Sequence, residues 1–245
     1  MGYSSGPARG SATLATLAVR GTATDTHDPW RQTVYRPPHF REDNPATLAA
    51  FVDAHALATL VAAPASGLVA NHIPLLRVAL PDGGTLLRGH VARGNELWKL
   101  LAPESPVLAI FGGADRYISP SWYPTKATTG QVVPTWNYTV VHAHGRIRFI
   151  DDAIWVHSLV DALTTRHESG QSQPWAVADA PADYLTRMLR AIVGFEISVE
   201  RLEGKFKASQ NRTEGERAGV VAAFTAEGVP EAIRADLVRP PRERA

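Results

Sequence analysis

Between Ile118 and Tyr138 the chain places three prolines (Pro120, Pro124, Pro134) and four aromatic residues (Trp122, Tyr123, Trp136, Tyr138) within 21 residues. Each proline removes a donor from a β-ladder, so this stretch is a poor ordinary strand. Aromatic rings are costly to leave in water, so it is a poor ordinary loop as well. The composition describes a rigid, partly buried wall, with Ser119, Ser121, Lys126 and Asn137 as polar groups at fixed places. A planar polar ligand suits such a wall.

The flanking sequence sets the architecture. Asn44-Pro45 predicts a helix start, a capping residue followed by proline at the first helical position, with the helix running to about His55. Strands are predicted over 56–62, 68–80, 85–91, 106–111, 132–144, 145–150 and 193–203, with a tight turn at Pro81-Asp82-Gly83-Gly84. Asp151-Asp152 caps a helix to about His167, and further helices are expected over 93–101, 182–192, 217–225 and 230–237. Gly204–Asn211 reads as a polar loop. Many hairpin-joined strands with flanking helices predict a mainly β, α+β fold: a closed or nearly closed antiparallel barrel. Residues 1–33, rich in Ser, Thr, Gly and Ala, are expected to be a poorly ordered extension. Residues 34–237 are expected to form the domain and 238–245 a flexible tail.

Composition removes several function classes. There is no cysteine, which excludes disulfides, thiolate catalysis and Cys-based metal sites. No apolar run approaches the roughly 18 residues of a membrane span, and residues 12–19 do not read as a signal peptide, so a cytoplasmic location is expected. Basic and acidic residues are interspersed and sum to +1, which provides no dense basic face for DNA. The motifs G-x-S-x-G, G-x-G-x-x-G, H-E-x-x-H and the P-loop are all missing.

Four places remain as candidates. His90, Arg93 and Asn95 stand at a strand-to-helix junction, where free N–H groups and a guanidinium suit a phosphate; a surface arginine on an ordinary first turn is the plainer alternative. Asn71 and His72 interrupt an apolar strand and need either backbone partners or a ligand. His142 and His144, two apart on a strand, share one face; with His72 and His90 they suit a metal or haem, against the simpler reading of coincidental pairing among nine histidines. Lys205, Lys207 and Gln210 form a polar group that by composition alone is a solvated loop.

Seven segments, in order, carry a resemblance. They are Tyr35-Arg36-Pro37-Pro38-His39-Phe40, Ala70-Asn71-His72-Ile73-Pro74-Leu75, Gly89-His90-Val91-Ala92-Arg93-Gly94-Asn95, Tyr117-Ile118-Ser119-Pro120-Ser121-Trp122-Tyr123, Val133-Pro134-Thr135-Trp136-Asn137-Tyr138, Ile192-Val193-Gly194-Phe195-Glu196 and Lys207-Ala208-Ser209-Gln210-Asn211. Together they resemble the PaiB family of FMN-binding negative transcriptional regulators of bacteria.

The resemblance implies an FMN-binding split β-barrel, a homodimer and flavin sites where two barrels meet. By the same resemblance His90, Arg93 and Asn95 would meet the FMN phosphate, and Trp122, Tyr123 and Trp136 would flank the ring. Asn71, Ser119 and Asn137 would bond its uracil-like edge; His72 is grouped with them, and Lys126, Lys207 and Gln210 would be further phosphate or ribityl contacts. Glu96 departs from the pattern by adding negative charge beside the Arg93 motif. FMN is the cofactor expected, with haem the lesser alternative. Negative regulation of transcription is the function expected, with an FMN-dependent oxidoreductase or a recruited biosynthetic enzyme as the alternative. Family members look as if they start at the Tyr35 motif, which makes 1–33 the expected product of an over-extended reading frame.

Overall fold

The computed structural model describes residues 34–241; the expectations for 1–33 and for the last four residues lie outside the described residues. A short 3-10 turn, Pro38–Phe40, leads into β1 (Arg41–Glu42). Helix α1 (Pro45–Ala54) starts as its sequence dictates: Asn44 Oδ1 accepts from the Thr47 amide at 3.1 Å, and Pro45 occupies the first turn. The chain continues through β2 (Leu57–Ala62), β3 (Val69–Pro74), β4 (Leu76–Ala79), β5 (Thr85–Ala92), α2 (Leu97–Leu100), β6 (Ser105–Ile118), α3 (Thr125–Thr128), β7 (Thr135–Ile150), α4 (Ala153–Glu168), α5 (Ala182–Arg190), β8 (Ile192–Lys207), α6 (Glu214–Ala226) and α7 (Glu231–Leu237).

All strands pair antiparallel, in the order β3-β2-β6-β7-β8-β5-β4, with β1 added to β8. The predicted single strand over 68–80 is two strands. It turns a corner at Leu75, whose amide donates to Ala56 O at 2.8 Å. The first half therefore ends one side of the sheet and the second half ends the other. The curled sheet is closed by its own chain and split between β3 and β5, an antiparallel split barrel with flanking helices.

Four other boundaries differ from expectation. The strand expected to stop at Phe111 continues to Ile118, because the Gly112–Asp115 irregularity is absorbed as a bulge opposite β7. A side chain at Gly113 would stand 2.3 Å from Thr139 Oγ1 and 2.8 Å from Phe51 Cζ, so glycine lets α1 approach there. The two strands expected over 132–150 are one, and β8 runs through the supposed polar loop as far as Lys207. The helix expected over 93–101 shrinks to Leu97–Leu100.

Inward residues fill the barrel. Leu60, Ala109, Phe111, Val141, Ala143, Ile147, Val193, Phe195 and Ile197 have no exposure, and Phe51 of α1 plugs one end against Phe206. Helix α4 lies on the outer side of β5 and β8, with Trp155 seated against Gly194. A second core gathers Ile118, Tyr123, Val220, Phe224, Val229 and Leu237, joining α6 and α7 to the far end of β6. No described helix is long and apolar enough to cross a membrane.

Candidate functional site

One face of the sheet carries no helix among the described residues. Residues paired directly across an antiparallel ladder point the same way. His72, Thr59, Ile110, His142 and Glu203 thus form an outward row across β3, β2, β6, β7 and β8. Ala70, Val61, Leu108, His144 and Arg201 form the next row. Val140 beside Lys205, Tyr138 beside Lys207, and Tyr117 beside Trp136 extend the face toward the end where β6 and β7 meet. Thr59, Val61, Leu108, Ile110, His142 and His144 are half-buried. Leu57 and Leu68 at the margin are 64% and 80% exposed. Among the described residues no helix packs on this face.

Its margin with β8 is occupied by the segment before β1. Glu203, only 1% exposed, collects Arg36 Nη2 at 3.4 Å, Arg201 Nε at 3.2 Å, His144 Nε2 at 3.2 Å and the Val34 amide at 3.4 Å. Lys205 lies between the rings of Tyr35 and Tyr138, 5.4 and 5.5 Å from their centroids. Burial holds both His142 and His144 below the ordinary histidine pKa; neighbouring His144 adds to this at His142, and Arg201 at His144. His142 Nδ1 and Arg201 Nη2 are buried without a hydrogen-bond partner.

The residues singled out from sequence separate into three groups. His72, Trp136 and Lys207 belong to or border the open face. His72 Nδ1 lies 3.0 Å from Thr59 Oγ1, Trp136 is 53% exposed with Tyr117 edge-on at 6.1 Å, and Lys207 bonds Thr135 Oγ1. Burial, then Lys205 and Arg212, lower the Lys207 pKa. Ser119 and Lys126 lie past the end of β6: the Ser119 hydroxyl accepts from the Ser121 amide, and Lys126 donates to Ser121 Oγ at 2.9 Å.

A second group surrounds the split. Asn95 Nδ2 donates to Asn71 Oδ1 at 2.7 Å, linking the turn after β5 to β3. Arg93 does not stand free for a phosphate. It grips Asp151 through both terminal nitrogens at 2.8 and 2.5 Å and donates to the carbonyls of Arg190 and Ile192, and this pairing holds the Asp151 carboxyl below its usual range. His90 points outward under α4, in a cleft of about 310 Å³ with Pro74, Leu163, His167, Glu168 and Trp175. Burial lowers its pKa.

The third group is structural. Tyr123 is 2% exposed in the second core, with Arg212 4.6 Å above its ring, and Trp122 stands edge-on to Phe224. Asn137, 1% exposed, donates to Ser209 Oγ and Leu237 O, both at 2.8 Å, which fastens α7 to the sheet. Gln210 accepts from the Ala208 amide and donates to Phe206 O. Asn137 and Gln210 spend their hydrogen bonds within the chain, while the buried Tyr123 hydroxyl has no hydrogen-bond partner and Trp122 is half-buried. The aromatic wall is therefore half core and half rim. Arg36, Arg201, Glu203 and His144 complete the open face and were missed as a group. Their available signal was the His142/His144 spacing opposite an alternating strand that carries Glu203.

The open face offers aromatic rings, lysines at one end and imidazoles at its centre. That donor set suits a planar molecule with hydrogen-bonding edges and an anionic end. No cluster of three or more metal-ligating side chains occurs among the described residues.

Comparison with known proteins identifies the family and the fold. A family model described as "Putative FMN-binding domain" matches residues 34–201. The chain is 31% identical over 199 residues to "Protease synthase and sporulation protein PAI 2" of Bacillus subtilis, covering 81% of this chain and 93% of that protein. It is 34% identical over 200 residues to an uncharacterized protein of Emericella nidulans, covering 69% of this chain and 80% of the relative. Among solved structures, an FAD and heme binding protein from Mycobacterium smegmatis superposes with a TM-score of 0.50 at 18% identity, over 68% of this chain and 73% of that one. The flavocytochrome Anf3 from Azotobacter vinelandii does so with a TM-score of 0.50 at 15% identity, over 73% and 75%. At such identities the superpositions speak for the fold alone. With the family model spanning most of the chain and the Bacillus relative aligned over nearly its whole length, the protein belongs to the PaiB family of FMN-binding split barrels.

Proposed function

We propose that this protein binds FMN against the open sheet face and acts as a cytoplasmic negative regulator of transcription, in a homodimer whose second copy closes that face. The observation that carries the reading is the face itself: an outward row across five strands, half-buried at Thr59, Ile110 and His142, on which no helix packs among the described residues. Burying such a surface is favourable, and a planar cofactor shared with a second sheet would do it. Trp136 would lie beside the ring, Lys207 and Lys126 would meet the anionic end, and His72 and Ser119 would supply hydrogen bonds. Bound FMN would provide a reversible redox centre. Regulation would follow flavin occupancy or oxidation state rather than a preformed basic DNA-reading surface, given the interspersed charges.

The purified protein should be yellow, release FMN on denaturation and run as a dimer by light scattering. A colourless monomer that takes up no added FMN refutes the reading. A gel-shift titration against salt tests direct DNA binding; shifts that weaken steeply with salt support it, and no shift argues for indirect regulation. A second reading, an FMN-dependent oxidoreductase or biosynthetic enzyme, is favoured by one observation. His142 and His144 are held neutral side by side on the same face, with ring centroids 6.4 Å apart, and neutral imidazoles are competent for proton transfer. Steady NADH consumption by the yellow form would select this reading over regulation.

A further inference from the structure

His144 differs from every other histidine among the described residues in having a buried carboxylate against one ring nitrogen. Donors crowd the Glu203 carboxylate. Two guanidinium groups, Arg36 and Arg201, stand at 3.4 and 3.2 Å from Oε1, while Oε2 accepts the Val34 amide. With Oε1 beside two guanidinium groups and Oε2 accepting an amide, Glu203 meets His144 Nε2 at 3.2 Å as an acceptor, which places a proton on that nitrogen. The two arginines already balance Glu203, so a second positive charge on the ring is not demanded. Burial and Arg201 both favour the neutral ring. A neutral imidazole with a proton on Nε2 has a bare lone pair on Nδ1. His144 Nδ1 has no hydrogen-bond partner among the described residues, and the ring sits 19% exposed on the open face.

The surroundings of this lone pair are otherwise apolar or charged. Leu108 pairs with His144 from β6, and Val61 lies beyond it on β2. His142 precedes it on β7, Arg201 and Glu200 face it from β8, and Arg36 reaches in from the segment before β1. His144 Nδ1 is thus a hydrogen-bond acceptor of fixed tautomer at the middle of this surface. A ligand lying on this face can satisfy it only with an N–H or O–H.

The oxidised isoalloxazine ring carries a single N–H, the imide between its two carbonyls. We infer that His144, oriented by Glu203, accepts the hydrogen bond of the flavin imide N–H; this rests on the FMN reading above. His144 is then a ligand-binding residue and Glu203 a positioning residue that acts through it. The assignment moves recognition of the ring's polar edge from Asn71 and Asn137, whose amides are engaged elsewhere, to the centre of the sheet.

Two measurements test it. In the flavin-free protein, side-chain nitrogen–proton correlation spectra of labelled histidine should show His144 with Nε2 protonated and Nδ1 bare near neutral pH. The Glu203→Gln variant should lose that tautomer preference. A His144 that carries its proton on Nδ1, or is doubly protonated near neutrality, overturns the inference with no reference to flavin. In the second measurement, FMN is compared with 3-methyl-FMN, which lacks the imide N–H. The wild-type protein should bind the methylated compound about tenfold more weakly, the scale of one lost hydrogen bond. His144→Phe should bind FMN more weakly by a similar factor and no longer distinguish the two compounds. Equal affinity of the wild type for both overturns this assignment while leaving FMN binding intact. Failure of the wild type to bind either compound removes the flavin as occupant, and with it both readings.

Discussion

The two sides of β7 follow opposite rules. Inward, Asn137, Thr139, Val141, Ala143 and Ile147 are no more than 3% exposed, and each meets atoms of its own chain. Outward, one residue away in each case, Tyr138, His142 and His144 are half-buried. The inner side was selected to be filled by this chain. The outer side mixes apolar residues with imidazoles and charges, and among the described residues no helix packs on it.

Breaking the inner side should have the largest effect. Phe195→Ala empties a site with no exposure that touches Phe149 and stands over Gly89, and it should cost about 3–5 kcal/mol in urea unfolding. A loss below about 1 kcal/mol would mean that the barrel interior is not the load it is taken to be. Glu203→Ala tests whether an outward residue can behave as an inward one. It leaves Arg201 without its counter-charge and Arg36 with Asp43 alone, and should cost about 2–3 kcal/mol by the same assay, the smaller figure reflecting how far those arginines reach water.

Acidity sharpens the contrast further. Burial lowers the folded-state pKa of His90, His142 and His144 below 6.5, so the unfolded chain binds more protons as pH falls. The stability these groups confer is complete above pH 6.5 and is lost progressively as pH drops through it toward their folded values. Melting curves between about pH 7.5 and about pH 5.5 should therefore shift downward with acid, and His142→Gln should flatten the slope. The smallest expected effect on folding is at the open face itself. Ile110→Ala should change unfolding free energy of the isolated chain by no more than about 1 kcal/mol, as expected for a half-buried position. The same change should weaken self-association measurably in sedimentation. The reverse pattern would place Ile110 with the core.

Much of the fold was written locally. The Asn44 cap, the Pro81–Gly84 turn with Gly83 at φ 87° and the Asp152 cap on α4 each depend on residues within three or four positions, and each is where its residue types require. The continuations of β6 and β8 were hidden because glycines that look like breaks are clearances. Gly113 admits Phe51, and a side chain at Gly204 would stand 2.6 Å from Leu48 Cδ2. The candidate site was harder to read, because a polar residue does not announce its partner. Asn137 finds Leu237 a hundred positions away, and Arg93 finds Asp151. Only the folded chain shows that these groups are spent, whereas Trp136 and Lys207 still border the open face.

The corner at Leu75 has a mechanical consequence. The strands at the two ends of the ladder are consecutive in sequence and separated by one residue, so neither lateral rim can peel away without pulling on the other. A sheet clasped in this way behaves as a hoop rather than a ribbon. Strain applied at one rim, by docking or by thermal fraying, is shared around the circumference. Leu75, with its side chain 1% exposed, is the buckle of that hoop.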